Sequence, residues 1–412
     1  MEQTLRTRNI KLVVAVIVML FVGIIYAWSI TKTPFEITVA GNIENDTQLG
    51  LNYTLSIIFF CLGGFAAGLI SNQTSTALRF ILSAFMLFTG YFSSSLMIVT
   101  IPYTENYFLL YMAYGMLGGL GTGLAFVTLV STITAWFPDK RGFASGITLM
   151  GFGLSLLIVG RVVDLLGSSD SVGWRSTYVL IAIALGLILI IAAIIIKPPP
   201  RGALFPEVKP VEEKDIKRGE RDYTALEMIK RPSFILIFIY ITILAASGSA
   251  AISFAKDIAM DAGAGESLAV TSVGMLGVSN GAGRLVSGWL FDKLGIRQTQ
   301  LISSAILIFA PLTIVVALAA NSAIICFIGL CLCGFSYGFA PTTSSVFASE
   351  FYGVKNFALN FSIMGLILIP APFAAILAGA VKTMTGGFIL AFIILTILTI
   401  VGFFVSLAIK RP

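Results

Sequence analysis

Few side chains in this sequence could do chemistry, and the setting of Arg284 says most. It lies in an apolar stretch from Leu268 to Phe291 that holds no carboxylate, with Asn280 one helical turn before it and Asp292 eight residues after it. At ~1.5 Å of rise per residue, a helix here sets Arg284 roughly 12 Å below the surface marked by Asp292, near the middle of a ~30 Å hydrocarbon layer. A guanidinium stays charged and is costly at that depth, so it usually faces a polar cavity on a substrate path. No other apolar stretch supplies an Asp or Glu at mid-depth. The chemistry this predicts is anion recognition, with a small carboxylate matching the charge of Arg284. The alternative is a purely structural arginine, bonded to backbone carbonyls and to Asn280.

Other chemistries find no residues. There is no histidine, and Cys61, Cys326, Cys331 and Cys333 sit inside apolar runs at no metal spacing. They read as small hydrophobes, without a disulfide framework. No triad or phosphate loop is visible, and Gly281 and Gly283 fall within an apolar run. Neither an enzyme, nor a cofactor, nor a bound metal is expected.

The elements that must hold Arg284 are membrane spans. Of 412 residues, 57% are hydrophobic and 11% charged, whereas a soluble domain is about 25% charged. Most of the surface must therefore face lipid. The net charge of +6 does not imply nucleic acid, because the basic residues fall in short segments between apolar runs. Runs of spanning length recur at 12–31, 51–71, 77–99, 107–135, 143–166, 174–196, 233–255, 267–291, 299–319, 322–348, 357–380 and 386–408, which predicts an all-α membrane protein of twelve helices. The first run follows Arg6, Arg8 and Lys11. It is too long for a signal peptide and lacks a small-residue cleavage site, so it reads as a retained span.

A hydrophilic stretch, 197–231, opens with three prolines and divides the chain into six-helix halves at 1–196 and 232–412. With both termini cytoplasmic, the inner segments take most Lys and Arg, and the outer ones only Lys32, Arg161, Arg175, Lys256 and Lys382. Arg161 lies twenty residues beyond Arg141, ~30 Å along a helix, so with Asp164 it reads as a solvated or snorkelling pair at the opposite surface.

The halves read as repeats. Gly142-Phe-Ala-Ser-Gly-Ile-Thr-Leu-Met-Gly151 opens the fifth span and Asn356-Phe-Ala-Leu-Asn-Phe-Ser-Ile-Met-Gly365 the eleventh. Gly119-x-x-x-Gly123 in the fourth span parallels Gly334-x-x-x-Gly338 in the tenth, a spacing that lets helix backbones approach closely. Two six-helix halves are the plan of one large transporter fold.

The loop after the eighth span, Gly288-Trp-Leu-Phe-Asp292-Lys293-Leu-Gly295-Ile-Arg297, resembles a loop motif of the major facilitator superfamily. Its counterpart after the second span is degenerate, with Asn72 in place of Asp. Within that superfamily, Tyr26-Ala-Trp-Ser-Ile-x-x-x-Pro34, Trp136-Phe-Pro-Asp-Lys-Arg-Gly-Phe-Ala-Ser-Gly146 and Asn280-Gly-Ala-Gly-Arg284 resemble the oxalate–formate antiporter and monocarboxylate transporter branch.

The resemblance implies the major facilitator fold and makes Arg284 the carboxylate ligand. It also implies an aromatic surround of Tyr26, Phe126, Phe152 and Tyr337, with Thr148 and Ser336 as minor hydrogen-bonders and Asn280 orienting the arginine. The two loop motifs make Asp292, Lys293 and Arg297, with Asp139 and Arg141, the gating candidates. Asp292 is expected on the N–H groups that open the eleventh helix, near Asn356 and Phe357. Restoring Asp at position 72 is expected to act on the fifth helix near Gly142.

Oxalate–formate antiporters carry a cavity lysine in the eleventh span where this chain has Met364, so a monocarboxylate such as lactate, pyruvate or formate is expected, carried by alternating access. No mid-depth acid or histidine is present to carry a proton, which leaves a proton on the substrate carboxyl or exchange for a counter-anion. The implied setting is a monomer in the cell membrane. The rivals are an oxalate–formate type exchanger, a superfamily carrier of another substrate, and a non-transporting receptor or scaffold. The fifth span lacks the Gly-Pro motif of drug–proton antiporters, and no sizeable soluble output module is visible.

Overall fold

Inside lipid the backbone finds no water, so an apolar run must close its hydrogen bonds within a helix. The computed structural model describes residues 2–36, 38–39, 42–43, 46–104, 106–200, 202, 205–206 and 222–412. Among these, helices stand where the apolar runs predict them. They are α1 (Leu5–Thr31), α2 (Gln48–Leu69), α3 (Thr76–Ile101), α4 (Phe108–Trp136), α5 (Arg141–Gly167), α6 (Gly173–Ile195) and α7 (Pro232–Asp261). One continuous stretch follows, Glu266–Ala319, whose 54 residues would reach roughly 80 Å, far beyond a ~30 Å layer. Gly295, at φ 79°, breaks it into α8 (266–294) and α9 (296–319), a turn that glycine alone adopts readily. Next come α10 (Ala323–Tyr352), α11 (Phe357–Thr385) and α12 (Ile389–Ala408). Among the described residues the fold is thus all-α with twelve spans, apart from two-residue strands, Thr38–Val39 and Asn42–Ile43, that pair antiparallel.

Burial follows the membrane setting. Phe85, Ile194 and Phe404 are 68%, 66% and 63% exposed, a liability in water and a fit for lipid. The ion pairs Lys32–Glu36 (3.2 Å), Lys256–Glu266 (3.1 Å) and Lys382–Asp257 (3.9 Å) sit at helix ends. Arg161 and Asp164 do pair, at 3.3 Å, on an exposed surface.

Packing forms two compact units, Met1–Phe137 with Leu154–Phe205 and Pro138–Gly153 with Pro206–Pro412. This division differs from the one expected at 196: the first part of α5 packs with the second half. The cause is a run of small residues. A Cβ on Gly142 would stand 2.5 Å from the Gly288 carbonyl oxygen, and one on Gly146 2.4 Å from that of Arg284, so α5 lies directly on the α8 backbone.

The two units repeat one helix pairing. In the first, α4 lies on α2, where a Cβ on Gly123 would stand 2.0 Å from the Phe60 carbonyl oxygen. In the second, α10 lies on α8, where a Cβ on Gly338 would stand 2.3 Å from that of Asn280. The parallel Gly-x-x-x-Gly motifs therefore do equivalent packing work.

The linker expected at 197–231 lies outside the described residues at 201, 203–204 and 207–221. Its final part is anchored. The Tyr223 N–H donates to the Tyr352 carbonyl at 2.9 Å, and the amides of Asn356 and Asn360 donate to the Tyr223 carbonyl at 3.0 and 3.1 Å. Thr224 and Glu227 form a capping box at the start of a short helix, Ala225–Ile229.

Candidate functional site

Arg284 is 2% exposed. Its Nη1 donates to the Leu149 carbonyl of α5 at 2.9 Å, and its Nε to Asn280 Oδ1 at 3.3 Å. The Phe152 ring centroid lies 6.0 Å from the guanidinium carbon. Gly153 makes room for this group, since a Cβ there would stand 3.3 Å from Arg284 Nε. The backbone is held too: the hydroxyls of Ser287 and of Thr342 on α10 donate to the Arg284 carbonyl at 3.0 and 3.2 Å. These are the bonds that a purely structural arginine would make. The Leu149 carbonyl and Asn280 Oδ1 are neutral acceptors that orient the guanidinium.

The structure brings Arg284, Asn280 and Phe152 together. Tyr337 belongs to the same unit, on α10, and packs on the Gly248 backbone of α7, where a Cβ would stand 2.4 Å from its own Cβ. Tyr26 and Phe126 belong to the other unit. Tyr26 is half-buried in a 3-10 stretch of α1, Gly23–Ala27, and Phe126 meets the Phe60 ring edge-on at 5.2 Å. Thr148 and Ser336 donate their hydroxyls to the carbonyls of Ala144 and Cys333 in their own helices, at 2.7 and 3.0 Å. Met364 is buried, 1% exposed.

At the far end of the α5–α8 seam the expected partner of Asp292 is corrected. Its carboxylate does not open α11. It accepts from the N–H groups of Gly142 at 2.9 Å and Phe143 at 2.6 Å, in the first turn of α5, where helix polarity favours an anion. The close α5–α8 packing brings that helix start to the end of α8. The turn before α11 is met by Asp222 instead, which accepts from the Lys355 N–H at 3.0 Å. Gly142 thus already has its acid, which removes the ground for expecting Asn72→Asp to act there.

Arg141 pairs with Glu350 of α10 at 3.1 Å. Lys293 lies over the Trp289 ring at 4.6 Å. Arg297 donates to the Ser406 carbonyl near the end of α12 at 3.1 Å. Asp139 is half-buried and within electrostatic range of Asp292. Sequence reasoning missed Leu149, Gly153 and Glu350. Of these only Glu350, a lone acid ending an apolar run, carried a readable signal.

Asp292→Asn keeps one acceptor but loses the second and the charge, a change of roughly 0.3–2 kcal/mol at a helix start. Transport is expected to slow while substrate affinity stays within a few-fold, and cysteines placed near Gly142 should label faster with an impermeant reagent. Unchanged labelling together with normal rates would remove this loop from the gate.

Twelve spans, in two units that repeat one helix pairing, make a multi-pass membrane protein. Residues 12–369 match the model of the Major Facilitator Superfamily, and the chain belongs to that family. The fold is that of the Escherichia coli fucose:proton symporter FucP (TM-score 0.72, 14% identity, 98% of this chain and 100% of that one). It is also that of the proton:xylose symporter XylE (TM-score 0.71, 13% identity, 100% and 97%).

In sequence the chain is similar to the uncharacterized MFS-type transporter YhjX of Escherichia coli (27% identity; 64% of this chain, 63% of that one). It is similar to the oxalate:formate antiporter of Oxalobacter formigenes (25%; 71% and 68%). It is also similar to human monocarboxylate transporter 11 (27%; 53% and 44%). The match thus spans less than two thirds of the first and third of these relatives.

Proposed function

We propose that the protein carries a small monocarboxylate of the lactate, pyruvate or formate type by alternating access, with Arg284 as the carboxylate ligand. The observation that carries this reading is a guanidinium buried at mid-span and oriented by neutral groups, Asn280 Oδ1 and the Leu149 carbonyl. Such a group offers a planar fork to a carboxylate. The names of two relatives, an oxalate:formate antiporter and a monocarboxylate transporter, point to the same substrate class.

In this reading Phe152, Tyr337, Tyr26 and Phe126 enclose the short alkyl part, and tyrosine hydroxyls reach its polar atoms. Asp292, Lys293, Arg297, Asp139 and Arg141 control closure at the cytoplasmic side. The chain works as a monomer in the cell membrane with both termini inside, and either a proton on the substrate carboxyl or a counter-anion completes the cycle.

The test is uptake of radiolabelled lactate, formate and oxalate into proteoliposomes, with and without a pH gradient. A second reading, exchange of the oxalate–formate type, is favoured by the antiporter match over 71% of the chain. Competition separates the two. With Met364 where a second cation would stand, lactate or formate should displace label better than oxalate. Clearly better displacement by oxalate would overturn the monocarboxylate assignment and require a further basic residue in the cavity.

A further inference from the structure

We infer that Arg284 also fastens α5 to α8, and that a bound carboxylate loosens this fastening; the inference rests on the substrate reading above. Polar ties hold the first part of α5 on its neighbours. Arg141 pairs with Glu350 at 3.1 Å, Asp292 takes the N–H groups of Gly142 and Phe143, and Arg284 Nη1 donates to the Leu149 carbonyl at 2.9 Å. Between the last two ties the seam is made of glycine against backbone, at Gly142, Gly146 and Gly288. The two backbones touch directly there, and the ties fix that contact at its ends. They lie seven residues apart on α5 and eight on α8, roughly 10–12 Å along the seam.

Of these ties the one from Arg284 involves a group a substrate would address. The Arg284–Leu149 bond is charge-assisted, about twice as strong as a neutral one. A carboxylate on the guanidinium cancels the charge behind that bond and competes for its N–H groups. Release leaves no orphan, because the Leu149 carbonyl lies within the helical stretch Arg141–Ser155 and keeps the intrahelical bond from the Gly153 N–H. The tie is therefore cheap to break and to remake. It converts binding at mid-span into loosening of a seam that ends at Asp292.

The test uses the full chain with Cys61, Cys326, Cys331 and Cys333 replaced, and one reporter at a time. The reporters are Ser145→Cys on α5 and Ser287→Cys on α8, both buried here. Lactate binding is measured separately by displacement of label, and maleimide labelling is followed with and without saturating lactate. Lactate should raise the labelling rate of at least one reporter roughly tenfold, as loss of one charge-assisted bond allows. Arg284→Ala should raise the rate without lactate and abolish the response. Bound lactate with unchanged labelling would overturn the inference and leave the substrate reading intact. Absence of lactate binding would sink the substrate reading. Even then, unchanged labelling in Arg284→Ala would show that this arginine fastens nothing.

Discussion

Arg284→Ala is expected to leave a folded, membrane-inserted protein whose carboxylate uptake falls to background. The variant discriminates between the two roles open to a buried arginine. Its bonds to the Leu149 carbonyl and Asn280 are both to neutral groups, so removing the cation strands no buried anion on these partners. If the side chain only braced helices, displacement of label by lactate would survive in the folded variant even where the loosened seam slows uptake. If it binds the substrate, its loss removes the fork that holds the carboxylate, a change of roughly 2–5 kcal/mol for a buried charge pair. Arg284→Lys should keep the charge and lose the fork, lowering uptake about tenfold or more. Uptake is measured on purified protein in proteoliposomes, with melting temperature as the check on folding. Near-normal uptake by the alanine variant would end the assignment, and near-normal uptake by the lysine variant would show that charge alone suffices.

Gly288→Ala should be nearly as damaging, although it adds a single methyl group. The new Cβ would stand 2.1 Å from the Gly142 carbonyl oxygen, a backbone atom that cannot turn aside. Either α5 moves off α8 or the backbone distorts, and overpacking of this kind costs about 1–3 kcal/mol. The shift also draws the Gly142 and Phe143 N–H groups from Asp292. Uptake below a tenth of normal is expected. Gly274→Ala, on the same helix with nothing within 4 Å of the added carbon, should transport normally and is the matched control. Equal activity in the two variants would show that the α5–α8 seam tolerates being pried apart.

Much of this molecule was legible in the sequence because lipid allows few solutions. A run of about twenty apolar residues must be a helix, and that reading placed Arg284 inside one. The Gly-x-x-x-Gly motifs were readable for a like reason, since only close backbone approach calls for them at that spacing. What failed was the choice of neighbour. Asp292 was read as an acid for a helix start, which it is, but periodicity says nothing of which helix start comes near. Of the two starts related by the repeat, the expected one was α11 and the observed one is α5. The Leu149 carbonyl was invisible because every residue has one, and only packing on α8 singles it out. Composition likewise changes at the linker and carries no sign that 138–153 packs with the second unit.

That displaced segment bears on how the chain can be divided. A cut anywhere in the 197–231 stretch separates the sequence repeats but not the compact bodies. The carboxy-terminal fragment would lack 138–153, leaving bare glycine backbone along α8, Asp292 without its two N–H groups and Glu350 without Arg141. The amino-terminal fragment would carry those residues with nothing to receive them. Two such fragments made together hold matching parts of one seam, and each is the other's missing piece. A permuted chain that joins residue 412 to residue 1 and opens between 197 and 231 keeps all of these parts in one polypeptide.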